Sequence, residues 1–222
     1  MPLVGVENTT KGRIYRQLRR AIIMGRCRPG ERLNLDALRK AYDISLSPLR
    51  DALHMLAQEG LITIKPRSGY FISRTTLKEL RDLFEMREIL ELAAVDRAAP
   101  RITDEDIDKL EHVHAGYSGD DDESYDRYTD ENRRFHVLIA EVSGNLELAE
   151  ALGHLHDRLA RFMVIRGAGE TQPQIHRCLV DALRQHDAAA AHQAMLEEVT
   201  ATQQEILDRV MQEDGASWPL RT

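Results

Sequence analysis

Four polar residues lie on helix faces that are otherwise apolar, where their side chains would be buried. Asn132 and His136 are four residues apart, so both lie on one side of a helix, together with apolar residues. His176 borders the apolar stripe of a later helix, and Glu198 lies on the stripe of the last one. Buried polar groups without partners are costly, so we expect these four side chains to share one partner.

Arg87 is a charged residue centred on the apolar stripe of its own helix, with Glu91 one turn later. Such a charge needs a partner, and two hypotheses stay open. Arg87 either forms a buried ion pair with Glu91 or clamps the carboxylate of a bound effector. The histidines that are two residues apart cannot share a helix face, and we expect them on the surface: His112 with His114, and His154 with His156.

The composition indicates a soluble globular protein of one or two domains, since 42% of the 222 residues are hydrophobic and 30% are charged. No apolar run has the length of a membrane span, and the first residues do not resemble a signal peptide. Only two cysteines are present, Cys27 and Cys178, which excludes a disulfide framework and a cysteine-based zinc ribbon. We therefore expect a cytoplasmic protein.

The charge is distributed unevenly along the chain. Residues 1–74 hold 14 Lys and Arg against 6 Asp and Glu, whereas residues 75–222 hold 16 against 31. A basic segment on an otherwise acidic chain favours contact with a polyanion through that segment alone.

The basic segment has the pattern of three helices and a hairpin. Apolar spacing predicts helices over 11–24 and 35–41, and a third from about Ser47 to Gly60 with Pro48 in its first turn. Strands at 61–64 and 70–72 flank a basic turn. This order predicts a winged helix-turn-helix domain over 10–74, after a flexible lead-in at 1–9.

The remainder is predicted to be an all-α antiparallel helical bundle over 75–212, followed by a loose tail at 213–222. Thr76 with Glu79 and Thr103 with Asp106 have capping-box spacing. An acidic loop is expected at 116–123. The predicted helices are 77–99, 103–117, 125–142, 145–165, 174–185 and 188–211.

The third helix of the first domain is the candidate reader of the DNA major groove, and the hairpin is the candidate wing along the backbone. Arg50 can pair with guanine or with a phosphate, and Gly69 would allow the backbone to approach DNA closely. The alternative is that Ser45 only caps the helix and that Arg67 is solvated. The candidate DNA-binding residues are Ser45, Leu46, Ser47, Arg50, Arg67, Ser68, Gly69 and Tyr70.

Residues 10–73 closely resemble the GntR family of bacterial transcription regulators. The family often has Arg after the first Ser of the recognition helix, where this chain has Leu46. Leucine can contact a thymine methyl group but not hydrogen-bond guanine, so the operator should differ; the alternative is that Leu46 packs inward. The resemblance rests on Ile14-Tyr15-x-x-Leu18, Pro29-Gly30-Glu31-Arg32-Leu33, Ser45-x-Ser47-Pro48-Leu49-Arg50-Asp51-Ala52-Leu53, Glu59-Gly60-Leu61 and Arg67-Ser68-Gly69-Tyr70-Phe71-Ile72.

Residues 77–207 resemble, less densely, the FCD ligand-binding domain of the FadR subfamily. The resemblance implies an antiparallel helical bundle that encloses a pocket for a small molecule. The matching stretches are Arg87-x-x-Leu90-Glu91, Asn132-x-x-Phe135-His136-x-x-Ile139, Ser143-Gly144-Asn145, His176-x-x-Leu179-x-x-Ala182-Leu183, Asp187 and Ala194-Met195.

Many FCD domains bind a divalent metal through an Asp and three His. The matching positions here are Asn132, His136, His176 and Glu198, so Asn replaces the Asp and Glu replaces the last His. Two imidazoles, a carboxylate and an amide oxygen can hold zinc, nickel or manganese and leave a position open for a ligand carboxylate. The alternative is a hydrogen-bonded cluster without metal, with Glu198 paired to a protonated histidine.

The resemblance implies a regulator of operator DNA whose repression is relieved by an effector. We expect a homodimer, because one recognition helix covers only a few base pairs, and a small organic acid as effector, because an open metal position and Arg87 both favour anions. We expect no enzymatic activity. Two alternatives are weighed against this function. In one, the metal ion itself is the signal. In the other, the chain is a metal-dependent hydrolase with a DNA-binding domain and Glu198 as general base.

Overall fold

The computed structural model describes residues 9–113, 122–166 and 172–213. The predicted lead-in and tail lie outside these residues, apart from Thr9 and the last helical residue, 213. The predicted acidic loop lies outside them too, apart from 122 and 123, which open a helix. The chain divides into two compact units, Met1–Thr75 and Thr76–Thr222.

The first unit has three helices and a two-stranded hairpin, which confirms the predicted winged helix-turn-helix. Its helices are α1 (Thr10–Ile23), α2 (Leu35–Tyr42) and α3 (Leu46–Gln58). Its antiparallel strands are β1 (Ile62–Lys65) and β2 (Gly69–Ile72). α1 packs against α3 through fully buried aliphatic side chains, among them Ile14, Leu18, Leu49, Leu53 and Leu56. This core fixes α3 and leaves its opposite face exposed.

A short segment before α2 pairs with β2 of the hairpin, and the sequence analysis did not predict this pairing. The backbone N–H of Leu33 donates to the carbonyl of Tyr70 at 2.9 Å, and the N–H of Ile72 donates to the carbonyl of Glu31 at 2.9 Å. Arg32 thereby lies across from Phe71 as an isolated bridge. Both edges of β2 are thus paired, which fixes the base of the wing.

The second unit consists, in its described residues, of helices joined by short non-helical turns. It contains α4 (Leu77–Ala98), α5 (Asp104–His112), α6 (Asp122–Val142), α7 (Leu146–Arg166), α8 (Gln172–Arg184) and α9 (Ala188–Glu213). α5 ends five residues earlier than predicted, and α6 begins three residues earlier. Helix ends are the least well encoded part of a periodic pattern, since the last turn adds few buried contacts.

The helix starts of this unit follow the predicted caps. The Thr76 hydroxyl accepts from the N–H of Glu79, and the Glu79 carboxylate accepts from the N–H of Thr76. Thr103 and Asp106 form the same reciprocal pair at the start of α5. These boxes satisfy backbone donors that a helix start leaves unpaired.

α4 is the central helix of the second unit, because it packs against α6, α7 and α9. α6 pairs with α7 and α8 pairs with α9, so the bundle surrounds α4 on several sides. Within the described residues, none of the helices combines the length and the apolarity that a membrane crossing requires.

Candidate functional site

The exposed face of α3 carries most of the candidate DNA-binding residues of the helix. Ser45, Ser47 and Arg50 are exposed, while Leu46 is half-buried. Ser45 is the N-cap of α3, but its side chain makes no capping hydrogen bond. The Ser45 hydroxyl and the first N–H groups of α3 can therefore face a phosphate, which helix N-termini favour.

The wing presents the other candidates on a tight turn. Ser68 donates its N–H to the Lys65 carbonyl at 3.0 Å, and both Arg67 and Ser68 are exposed. Arg67 and Gly69 have positive φ values of 62° and 111°. A glycine at position 69 is required by this backbone conformation, since an L side chain rarely adopts it. The basic turn is thus held out as a compact loop.

His54 joins the helix to the wing, and the sequence analysis missed it. Its ring packs edge-on against the ring of Tyr70, with centroids 6.1 Å apart and planes at 86°. His54 is exposed and lies one turn after Arg50 on the same face of α3. The spacing from Arg50 was the available signal, because residues four apart share a helix face.

Six charged or ionisable side chains of the second unit converge in its interior, and we call them the polar cluster. They come from five different helices: α4 supplies two and α6, α7, α8 and α9 supply one each. Every one of them is at most 6% exposed. The polar cluster consists of Arg87, Glu91, His136, His156, His176 and Glu198.

Glu91 is the centre of one half of the polar cluster. Its Oε1 atom lies 2.9 Å from His156 Nε2 and 3.0 Å from His136 Nδ1. The Nε–H of Arg87, one helical turn away, donates to the same oxygen at 3.4 Å. The Arg87–Glu91 pair predicted from the sequence is therefore present, but it is part of a larger network.

Glu198 is the centre of the other half of the polar cluster, and like Glu91 it contacts two histidines and Arg87. Its Oε1 atom lies 3.2 Å from His136 Nε2 and 3.4 Å from His176 Nε2. Arg87 Nη2 donates to this oxygen at 3.3 Å. Each carboxylate thus contacts a histidine of its own, and His136 and Arg87 bridge the two halves.

Aromatic stacking holds the imidazole planes. His136 stacks on His156 with centroids 4.7 Å apart and planes at 24°. His176 stacks on Phe135 with centroids 3.7 Å apart and planes at 8°. Rings packed in this way cannot rotate freely, so their nitrogen atoms keep a fixed direction.

The bridging position of His136 decides its charge. Burial disfavours the imidazolium, but the charges of Glu91 and Glu198 outweigh it and raise the pKa of His136 to about 9. Burial lowers the pKa of His156 to about 4 and also lowers the pKa of His176. Burial alone would raise the pKa of each carboxyl, but His136 and the neighbouring histidines hold both below the usual range. Two carboxylates therefore balance one guanidinium and one imidazolium.

Several atoms of the polar cluster have no hydrogen-bond partner among the described residues. They are Arg87 Nη1, the second carboxylate oxygens of Glu91 and Glu198, His136 Nδ1, which lies 3.0 Å from Glu91 Oε1 without hydrogen-bond alignment, and, beside the cluster, Thr202 Oγ1. Buried polar groups are rarely left unpaired, so these atoms retain the capacity to bond an additional polar partner.

A half-open cavity of about 200 Å³ reaches the cluster at His176. It lies between α5, α6 and α8 and is lined by Leu110 and Phe135 on one side and by Arg177 and Asp181 on the other. The cavity provides a path from the surface to an imidazole of the cluster.

Three of the four sequence-predicted metal ligands meet in this cluster. His136, His176 and Glu198 place one ligand atom each within 4.8 Å of one another. Bonds of about 2.0–2.2 Å around a zinc ion set neighbouring ligand atoms roughly 3.0–3.5 Å apart. The contacts of 3.2 and 3.4 Å at Glu198 match that spacing, so the donor set fits a divalent ion. Asn132 is buried one turn before His136, and its participation stays a prediction.

The structure corrects the prediction for His156. We expected His154 and His156 on the surface, but only His154 is exposed, whereas His156 is 3% exposed and bonded to Glu91. When two positions cannot share a helix face, one of the two residues can still be buried. The apolar pattern around position 156 was the signal that His156 is the buried one. His112 is exposed as expected, and His114 lies outside the described residues.

The polar cluster offers a second group of three donors with ligand spacing. Glu91, His136 and His156 also place one ligand atom each within 4.8 Å of one another. Here the His156–Glu91 contact is a short hydrogen bond of 2.9 Å, whereas the corresponding His176–Glu198 contact is 3.4 Å. The weaker bond leaves the Glu198 group more available to an added cation.

Comparisons with known proteins match a known domain family to each of the two units. The family model described as bacterial regulatory proteins, gntR family, matches residues 10–72, and the FCD domain model matches residues 82–201. The HTH-type transcriptional repressor GlaR of Escherichia coli K12 is 31% identical over 156 residues, which cover 68% of this chain and 71% of GlaR. The regulator YdhC of Bacillus subtilis 168 is 29% identical and covers 82% of this chain and 84% of its own.

Solved structures show the same fold. Escherichia coli McbR/YncC superposes with a TM-score of 0.68 at 21% identity, covering 92% of this chain and 98% of its own. A GntR regulator from Rhodococcus sp. RHA1 gives a TM-score of 0.64 at 22% identity, covering 89% and 97%.

Proposed function

The chain belongs to the GntR family of bacterial regulatory proteins and carries an FCD domain, and from this premise we propose that it is an operator-binding repressor released by a small organic acid. The transcriptional regulator function follows from the family. The observation that carries the proposed effector site is the polar cluster, which combines fixed cations with unpartnered buried atoms inside the FCD unit.

DNA binding is proposed to use the exposed face of α3 and the wing. Arg50 would contact guanine or a phosphate, and Ser45 and Ser47 would contact phosphates at the start of the helix. Leu46 at the helix start would contact a thymine methyl group. Exposure of Ser45, Ser47 and Arg50 in a basic unit supports the proposal. The wing would add backbone contacts through Arg67, Ser68, Gly69 and Tyr70.

Recognition of an operator is proposed to require a homodimer. One α3 helix covers only a few base pairs, which gives little discrimination within a genome. Two reading helices on a palindrome double the contacts, with half-sites one helical turn or a multiple of it apart.

The metal is proposed to bind at His136, His176 and Glu198, with the amide oxygen of Asn132 as a further ligand. Zinc, nickel and manganese all accept this mixture of nitrogen and oxygen donors. When bound, the ion would supply a Lewis-acid position for a carboxylate oxygen. Glu91 would hold the ring of His136 from the other nitrogen, as carboxylates commonly do for metal-bound histidines.

The effector is proposed to be a small carboxylic acid held in part by Arg87. The Nη1 atom of Arg87 is buried and lacks a partner among the described residues, and a guanidinium suits a carboxylate. The effector releases the operator only if it binds the DNA-free state of the protein more tightly than the DNA-bound state.

The test is footprinting of the full-length protein on the DNA upstream of its own gene. We expect a protected palindrome that a particular acid abolishes, in protein reconstituted with metal. Release by metal alone, with no acid present, would instead make the ion the signal. Failure to protect any duplex at low salt, with and without acids, would contradict the proposal.

The metal part is tested separately by elemental analysis of purified protein. His136→Ala combined with His176→Ala should abolish bound metal, because two of the proposed ligands are lost. His154→Ala is the matched control, since His154 is exposed on α7 outside the polar cluster. Equal metal content in the double variant and in the wild type would refute the site.

A further inference from the structure

Arg87 contacts the same atoms that the proposed metal would need. Its Nη2 lies 3.2 Å from His136 Nε2 and 3.3 Å from Glu198 Oε1. These two atoms belong to the group of three donors with ligand spacing. The guanidinium therefore sits at the edge of the coordination position, with its charge directed at the carboxylate that would neutralise the ion.

A guanidinium and a divalent ion cannot both pair with Glu198 Oε1 at low cost. Arginine does not lose its proton in proteins, so Arg87 remains a cation whatever else binds. Glu198 Oε1 is buried, and a second cation beside the first would meet little screening from water. The metal would have to displace the Arg87 contact or bind against its repulsion.

The Arg87 side chain keeps a carboxylate partner, Glu91, when it is displaced from Glu198. Its Nε–H donates to Glu91 Oε1 at 3.4 Å, so it has a second carboxylate partner besides Glu198. Its Nη1 is unpartnered among the described residues, so a rotation of the guanidinium breaks no bond at that atom. The side chain can thus stay paired to Glu91 while it leaves His136 and Glu198.

We infer that Arg87 is an internal competitor of the divalent metal. In the metal-free protein its guanidinium supplies to Glu198 the positive charge that the metal would supply, and it thereby weakens metal binding. This inference rests on the proposed metal site. It assigns to Arg87 a role that an ordinary buried ion pair would not have, because a simple pair would leave metal affinity unchanged. The site then alternates between two states, one in which Arg87 pairs with Glu198 and one in which the metal ion binds Glu198.

The experiment measures the affinity of full-length, chelator-treated protein for Co²⁺ by titration calorimetry and by the absorption of the bound ion. Arg87→Met should bind Co²⁺ about tenfold more tightly than the wild type, in the range that coupled sites show. Arg133→Met is the matched control, because Arg133 pairs with Asp157 and lies outside the polar cluster. It removes the same charge from the same unit and should change the affinity by less than about twofold.

Arg87→Lys provides a second variant if Arg87→Met does not fold, as judged by circular dichroism. Lysine keeps the charge but lacks the fork that joins Glu91 to Glu198, so Co²⁺ affinity should rise several-fold. Co²⁺ affinity that is unchanged or weaker in the folded Arg87 variants, with binding intact in the wild type, would overturn the inference alone. Absence of Co²⁺ binding in every variant and in the wild type would overturn the metal site as well.

Discussion

The two units place their proposed functional side chains in opposite environments. In the first unit, Ser47, Arg50 and Arg67 are exposed and point away from the core. In the second, the polar cluster is buried and its members contact one another. If the proposed roles hold, the first unit separates function from stability, because its proposed DNA-binding groups pair with an external partner, whereas the second unit uses the same atoms for its proposed site and for its packing.

The largest expected effect is on the stability of the second unit. Glu91→Gln leaves Arg87, His136 and His156 facing an uncharged amide, and breaking a buried charge pair costs about 3–5 kcal/mol. Urea unfolding followed by far-UV circular dichroism measures the loss. Glu85→Gln on the exposed side of α4 is the control and should change stability by less than about 0.5 kcal/mol. Equal stability of the two variants would break the comparison between the units.

A pH titration should find a smaller loss in the same unit of the metal-free protein. The folded pKa of His136 is raised from 6.5 to about 9, so its contribution to stability is fully present below pH 6.5 and is lost as the pH rises through 9. The loss amounts to about 3 kcal/mol at most.

Other members of the cluster do not titrate in the upper part of this window. His156 and His176 have lowered pKa values, so above about pH 7.5 they are neutral in both the folded and the unfolded state, and the carboxylates are ionised in both. His136→Gln should therefore remove the pH dependence. A wild-type stability that rises between about pH 7.5 and 9 would contradict the charge assigned to His136.

Arg50→Ala should affect operator binding and leave stability unchanged. Loss of a base or phosphate contact costs about 1–3 kcal/mol of binding free energy, and a phosphate contact also reduces the salt dependence. Fluorescence anisotropy with operator DNA at several salt concentrations measures both quantities. Arg97→Ala, an exposed substitution in the second unit, is the control. Unchanged affinity and salt slope would remove Arg50 from the interface.

His54→Ala should give the smallest effect, a loss of about 0.5–1 kcal/mol of operator binding from the missing ring contact with Tyr70. Because this contact positions the wing, the loss should be similar for matched and mismatched operators. His54→Phe keeps a ring and should restore most of the affinity. A loss confined to one base position would instead indicate that His54 reads a base directly.

Features encoded by neighbouring residues were predicted well from the sequence. The capping boxes at Thr76 and Thr103 depend on residues three positions apart, and the hairpin depends on two short apolar runs around one turn. The pairing of Arg32 with Phe71 was not predicted, because these residues are far apart in the chain and the segment is too short to show a strand pattern.

The site was predicted only in part for a related reason. His136, His176 and Glu198 could be identified because each lies on or beside an apolar stripe of its own helix. Which helix faces which is set by the packing of the whole bundle, so the contacts of Arg87 with both Glu91 and Glu198 could not be derived from spacing. His156 was misjudged because spacing excluded a shared face but did not say which residue of the pair points inward.

One imidazole ring, that of His136, joins a carboxylate of the first helix of the bundle to a carboxylate of the last. The first and the last helix of the second unit are therefore linked through this ring. A truncation that removes α9 would strip Glu198 from the interior and leave a guanidinium and an imidazolium facing a single carboxylate. Chimeric regulators built from this chain should accordingly exchange everything after Thr75 as one block and keep α9 intact.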